Sequence, residues 1–232
     1  DIERLLTRLE GGMPYDDYEG EGSQAEIGAL ASELRKNLRS EVSGAVVLAR
    51  QKRLLSHFAA HLVETSAHVV TFNYDDIIDE YLWRVRPITK LPDPPIAYWH
   101  PDGGYGFFCR PASMTIGEQR VLMDQTAMHL LKLHGSLNWR VRRGAPSNVP
   151  LDSIMHFEDW LPHTSESGAP TPAKPDIELH LDPVPLWVPP VLLKSPLARQ
   201  PVLGLVWHRA YDVLRAAERV VFIGYSFPVT DI

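Results

Sequence analysis

Three short apolar runs, each followed at once by small polar residues, constrain this chain more than any other feature. They are His68 to Phe72, Leu130 to His134 and Val220 to Ile223. A short run rich in β-branched and aliphatic residues reads as a strand covered on both faces, which is the pattern of a parallel sheet. Helical spacing surrounds them. Ile27, Leu30, Leu34 and Leu38 repeat at helical intervals, as do Val47, Leu54, Phe58 and Leu62, and again Leu205, Val206, Ala210, Val213, Leu214 and Ala217. Helices around apolar strands predict an α/β domain with a mostly parallel sheet. Ligands of such sheets bind beyond the carboxyl ends of the strands. The residues placed there are Thr71-Phe72-Asn73-Tyr74-Asp75, His134-Gly135-Ser136 and Gly224-Tyr225-Ser226.

The chain of 232 residues is long enough for one sizeable core. We expect a single domain over 1–232, cut at both ends, because Asp1 falls inside a helical pattern and Ile232 follows a strand and turn directly. Residues 84–128 and 140–201 are expected to be loop-rich insertions. Asp102-Gly103-Gly104 between aromatic runs suggests a hairpin turn in the first. Ten prolines between Pro162 and Pro201 exclude a long helix in the second, where Leu186 to Val188 suggests one strand.

A formal net charge of −6 disfavours general binding to nucleic acid, and Arg140, Arg142 and Arg143 read as a solvated loop. The single cysteine, Cys109, excludes an internal disulfide and a four-cysteine zinc site. His57 and His61 have metal-compatible helical spacing but lack a third ligand, so they read as helix-face residues and no zinc is expected. No run approaches the roughly 18 apolar residues of a membrane span, and no leader opens the chain, so a cytoplasmic protein is expected.

Together these motifs resemble a known family. Thr71-Phe72-Asn73-Tyr74-Asp75 resembles the T-x-N-x-D motif of sirtuins, and Lys132 to Trp139 resembles the His-Gly motif of sirtuin-like domains in bacterial anti-phage systems. Val188-Pro189-Pro190 with Lys194, and Phe222 to Asp231, resemble later motifs of that group, in matching order over about residues 65–232. The resemblance implies a Rossmann-like sheet and NAD as substrate, cleaved to nicotinamide and ADP-ribose. It also implies a homo-oligomer working with sensor domains or proteins of a larger defence system, with no membrane and no direct nucleic-acid contact.

On this basis His134 is the candidate general base, because an imidazole titrates near neutral pH. Asn73 would orient water or ribose with its donor and acceptor. Asp75 either stabilises developing positive charge or caps the following helix. Thr71, Phe72, Gly135, Gly224, Tyr225, Ser226 and Asp231 are the candidate cofactor-binding residues. Two departures stand against the sirtuin pattern. There is no zinc module, which favours hydrolysis over deacylation. The opening strand and glycine-rich phosphate loop are also missing, since Gly20-Glu21-Gly22-Ser23 follows an acidic stretch that is no strand. A silent domain that binds NAD or ADP-ribose, and a zinc-free deacylase, are the alternatives.

Overall fold

The computed structural model describes residues 54–85, 99–111, 128–141, 154–156, 184–188 and 200–224, with scattered helical positions between 26 and 45. Helix α1 (Leu54–Glu64) leads into β1 (Val69–Thr71), and a five-residue loop leads on to α2 (Ile77–Arg84). A single helical turn, α3 (Pro101–Gly104), precedes β2 (Arg110–Pro111). Then come β3 (Leu130–Lys132), β4 (Gly135–Val141), β5 (Met155–His156), β6 (Val184–Trp187) and α4 (Pro201–Ala216).

Two sheets result, giving a mixed α/β architecture. In one, β1 pairs parallel with β3, with Val69 opposite Leu130 and Thr71 opposite Lys132. The other has the order β2-β5-β4-β6, in which β4 runs antiparallel to both neighbours and β2 runs parallel to β5. The segments expected to be loop-rich insertions therefore supply three of the strands in this second sheet. The strand expected at Leu186 to Val188 is β6, shifted to Val184–Trp187, whereas β2 and β5, two residues each, are too short to show a period and pair at long range, so the sequence pattern conceals them. Pro111 and Pro185 fall in the two outer strands, the positions to which proline is confined within sheets.

Three sequence expectations are corrected. Val220 to Ile223 forms no strand; these residues stand 44–69% exposed. Asp102-Gly103-Gly104 is no hairpin turn but the body of α3. Pro101 supplies the preset φ of a first helical residue, and His100 Nδ1 accepts from the Asp102 N–H at 3.1 Å. Gly135-Ser136 is no open strand end either. The chain turns at Leu133 and His134 and continues directly as β4, where Leu137 N–H donates to Tyr74 O at 2.8 Å.

The core is aromatic. Tyr105, Phe107 and Trp139 meet with ring centroids 5.0–6.3 Å apart, and Trp99 lies 5.3 Å from Tyr105. Trp99 and Trp139 are fully buried, as core anchors rather than a stacking surface. Helix α4 buries Val202, Leu203, Val206 and Ala210 along one stripe and packs against β3. No described helix is long and apolar enough to cross a membrane.

Candidate functional site

The parallel register of β1 and β3 governs the site. The last paired residues are Thr71 and Lys132, so Asn73 and His134 each lie two residues beyond, on the same carboxyl edge. Leu133 N–H extends the ladder by donating to Thr71 O at 2.9 Å.

The loop after β1 is held from several sides. Asn73 N–H donates to Thr71 Oγ1 at 3.0 Å, folding the loop back on its strand. Asp75 Oδ1 accepts from Ile77 N–H at 3.1 Å, so of its two expected roles the structure displays the helix-capping one. The neighbouring Asp76, at the N-cap position itself, makes no side-chain capping bond. Tyr74 meets Trp187 with tilted rings, centroids 4.8 Å apart, and burial, with Asp75 nearby, raises the pKa of its hydroxyl.

Beneath this loop is a buried polar network that the motifs did not reveal. Lys132 is fully buried, and its Nζ donates to Asp75 O at 2.5 Å and Ser136 Oγ at 2.8 Å while pairing with Asp79 Oδ2 at 2.9 Å. Three acceptors use all three ammonium protons. Ser136 Oγ in turn donates to Asn138 Oδ1 at 2.5 Å, and Asn138 Nδ2 donates to Tyr105 OH at 2.9 Å. Tyr105 OH donates to Asp79 Oδ1 at 2.5 Å and closes the ring. Burial pushes the Asp79 carboxyl up to about 6, against the pull of Lys132 and the Tyr105 hydrogen bond. The one sequence signal was a lysine within an apolar strand, Leu130-Leu131-Lys132-Leu133.

Along β1 and past its carboxyl end lies an open cleft of about 1080 Å³, between β1 and residues 217–224, with α4 along one side. Thr71, Phe72, Asn73 and Gly224 line it, so four of the candidate residues share one cavity. His134 is not among its lining residues. It is 7% exposed, with its ring edge-on to Phe72 at 5.2 Å, while Phe72 meets Trp207 at 6.2 Å and Trp207 Nε1 donates to Leu133 O at 2.9 Å.

Gly135 is buried at a close backbone approach. Its φ is +80°, and a Cβ there would stand 2.4 Å from Leu186 O. That contact accounts for a glycine without any ligand. Tyr225, Ser226 and Asp231 lie outside the described residues. At the other end of the cleft His68 and His129 face each other at 5.3 Å, and His68 Nδ1 accepts from His129 N–H at 3.0 Å. Burial lowers both pKa values, and the fields of His68 and Arg209 lower that of His129 further. No sequence signal marked this pair, because β-pairing alone brings residues 68 and 129 together.

His57 and His61 sit exposed on α1, and among the described residues no group of three or more His, Cys, Asp or Glu is placed to hold a metal ion. Comparison with protein-family models, with curated proteins and with solved structures gives no match.

Proposed function

We propose that this chain binds NAD at the carboxyl edge of β1 and β3 and hydrolyses it to nicotinamide and ADP-ribose, on a Rossmann-like sheet. The carrying observation is the in-register parallel pair that puts Asn73 and His134 at the same height beyond two adjacent strands. The resemblance of both loops to sirtuin-like motifs supplies the chemistry. Arg219 also lines the cleft, in keeping with a pyrophosphate.

In this reaction the bond between ribose C1′ and the nicotinamide nitrogen breaks, and nicotinamide departs as a neutral molecule with the bonding pair. Water forms the new C1′–O bond, and its proton passes to His134. Asn73 holds the water or a ribose hydroxyl through its amide. Asp75 stays in its capping role and fixes the loop. In a larger defence protein the domain would act as a homo-oligomeric effector under the control of sensor partners. NAD is consumed here as a substrate, and the site requires no zinc.

A second proposal, binding of NAD or ADP-ribose without turnover, is favoured by the 7% exposure of His134 behind Phe72. Chromatography of the products from purified protein and NAD separates the two. Nicotinamide with ADP-ribose, lost in His134→Ala and Asn73→Ala, supports hydrolysis. Calorimetric binding without nicotinamide release supports the silent domain. Neither binding nor release removes both.

A further inference from the structure

Lys132 stands in an apolar strand, yet its ammonium is fully buried and directs its three protons to three separate pieces of chain. Asp75 O accepts from it at 2.5 Å, Ser136 Oγ accepts at 2.8 Å and Asp79 Oδ2 pairs at 2.9 Å. Asp75 lies two residues after Asn73, in the loop that joins β1 to α2. Lys132 and Ser136 lie two residues before and two residues after His134, so their bond closes the turn that carries the histidine. From another side Val188 N–H holds that turn by donating to His134 O at 2.8 Å. Asp79 belongs to the first turn of α2, whose start Asp75 caps. Leu137 N–H, donating to Tyr74 O at 2.8 Å, joins the two loops directly. The ring through Asn138 and Tyr105 back to Asp79 fixes the acceptors in turn.

Stability alone does not call for this arrangement. A buried ion pair exchanged for packed apolar side chains is often neutral or even stabilising. What apolar side chains lack is direction, whereas three donors on one ammonium bind three elements in one geometry. We propose that Lys132 is a positioning residue of the site, tying the loop of Asn73 to the turn of His134 and to α2, so that the two side chains keep one mutual geometry during turnover. This role rests on the hydrolysis proposed above. Lys132 acts through the backbone of Asp75 and the hydroxyl of Ser136. Only two residues separate each tie from the side chain it places, and a misplacement of about 1 Å can cost about 10²-fold in rate.

The test compares the parent chain with Lys132→Met and Lys132→Met/Asp79→Asn, each also in an Asn73→Ala background, near pH 8 and well below their melting temperatures. Steady-state nicotinamide release gives kcat, calorimetry gives NAD affinity, and hydrogen exchange without NAD reads residues 73–76. The double variant separates position from stability, because it removes the unpaired charge without restoring the ties. We expect both variants to lose about 10- to 100-fold in kcat and far less in affinity. The double variant should stay slow although its stability is partly recovered. In Asn73→Ala the further loss should be clearly smaller, because residues that act through one another are not additive. Exchange over residues 73–76 should quicken in both variants while that of α4 stays as in the parent. Turnover that recovers with stability overturns the proposal, as do equal losses with and without Asn73, or loop exchange like that of the parent. Absence of nicotinamide release from the parent overturns the hydrolysis reading and this role with it. Normal release by both the parent and the double variant overturns this role alone.

Discussion

Replacing Lys132 by methionine tests the network beneath the site. The side chain is fully buried and pairs with an equally buried Asp79 at 2.9 Å. Methionine keeps most of the volume and removes the charge and three polar contacts. Breaking one side of a buried pair typically costs about 3–5 kcal/mol. At about 2–4 °C per kcal/mol for a chain of this size, melting should fall by roughly 6–20 °C. The pH dependence makes the argument specific. Asp79 already titrates near 6 rather than 3.8 in the folded state, so ionising it within the fold costs about 3 kcal/mol even with Lys132 present. A carboxyl with a raised folded pKa takes up its proton more readily folded than unfolded. Its cost is therefore full above the folded pKa and disappears as pH falls towards the unfolded value. Without Lys132 the folded pKa rises further, so the deficit of Lys132→Met relative to the parent should be largest near pH 8 and shrink towards pH 5. Urea denaturation of both proteins across that range measures it, and Lys132→Met/Asp79→Asn should recover part of the loss near pH 8. A deficit under about 1 kcal/mol, the size of an exposed pair, would refute the reasoning, as would a deficit constant with pH.

His134→Ala should reduce nicotinamide release by about 10²–10⁴-fold, as expected for loss of a positioned general base, while the fold survives with a lowered melting temperature, because the ring is buried against Phe72. Asn73→Ala should lower turnover more than NAD binding, which calorimetry beside product assays would reveal, because its task is orientation during bond breaking. Gly135→Ala should destabilise by about 2 kcal/mol or more in urea, since φ +80° and a Cβ 2.4 Å from Leu186 O combine backbone strain with a clash. Asp102 provides an acid-side test. Burial opposes its ionisation, but the neighbouring His100 and the hydrogen bond with His156, whose Nε2 lies 2.8 Å away, outweigh that and hold the carboxyl well below the usual range. Its contribution is present above about pH 4 and lost as pH falls below, so acid melts should show a steeper loss in the parent than in His156→Asn.

Local pattern alone marked the helices α1, α2 and α4 and the two apolar strands β1 and β3. A helix face repeats every 3.6 residues and a buried strand is uniformly apolar, and both are written into neighbours along the chain. It also marked the loops beyond those strands. That Asn73 and His134 share one sheet edge was an expectation until pairing fixed the register of Val69 with Leu130. Tertiary structure alone decided the rest. The four-stranded sheet is assembled from strands of two to seven residues far apart in sequence, too short or too irregular to carry a period. The long-range bonds of the Lys132 network and the His68–His129 pair join residues about 30–60 positions apart, and beyond a lysine within an apolar strand local sequence does not reveal those partners. Val220 to Ile223 shows the limit from the other side. Its composition is that of an inner strand, yet a strand needs a neighbour to pair with, and pairing is a property of the whole fold.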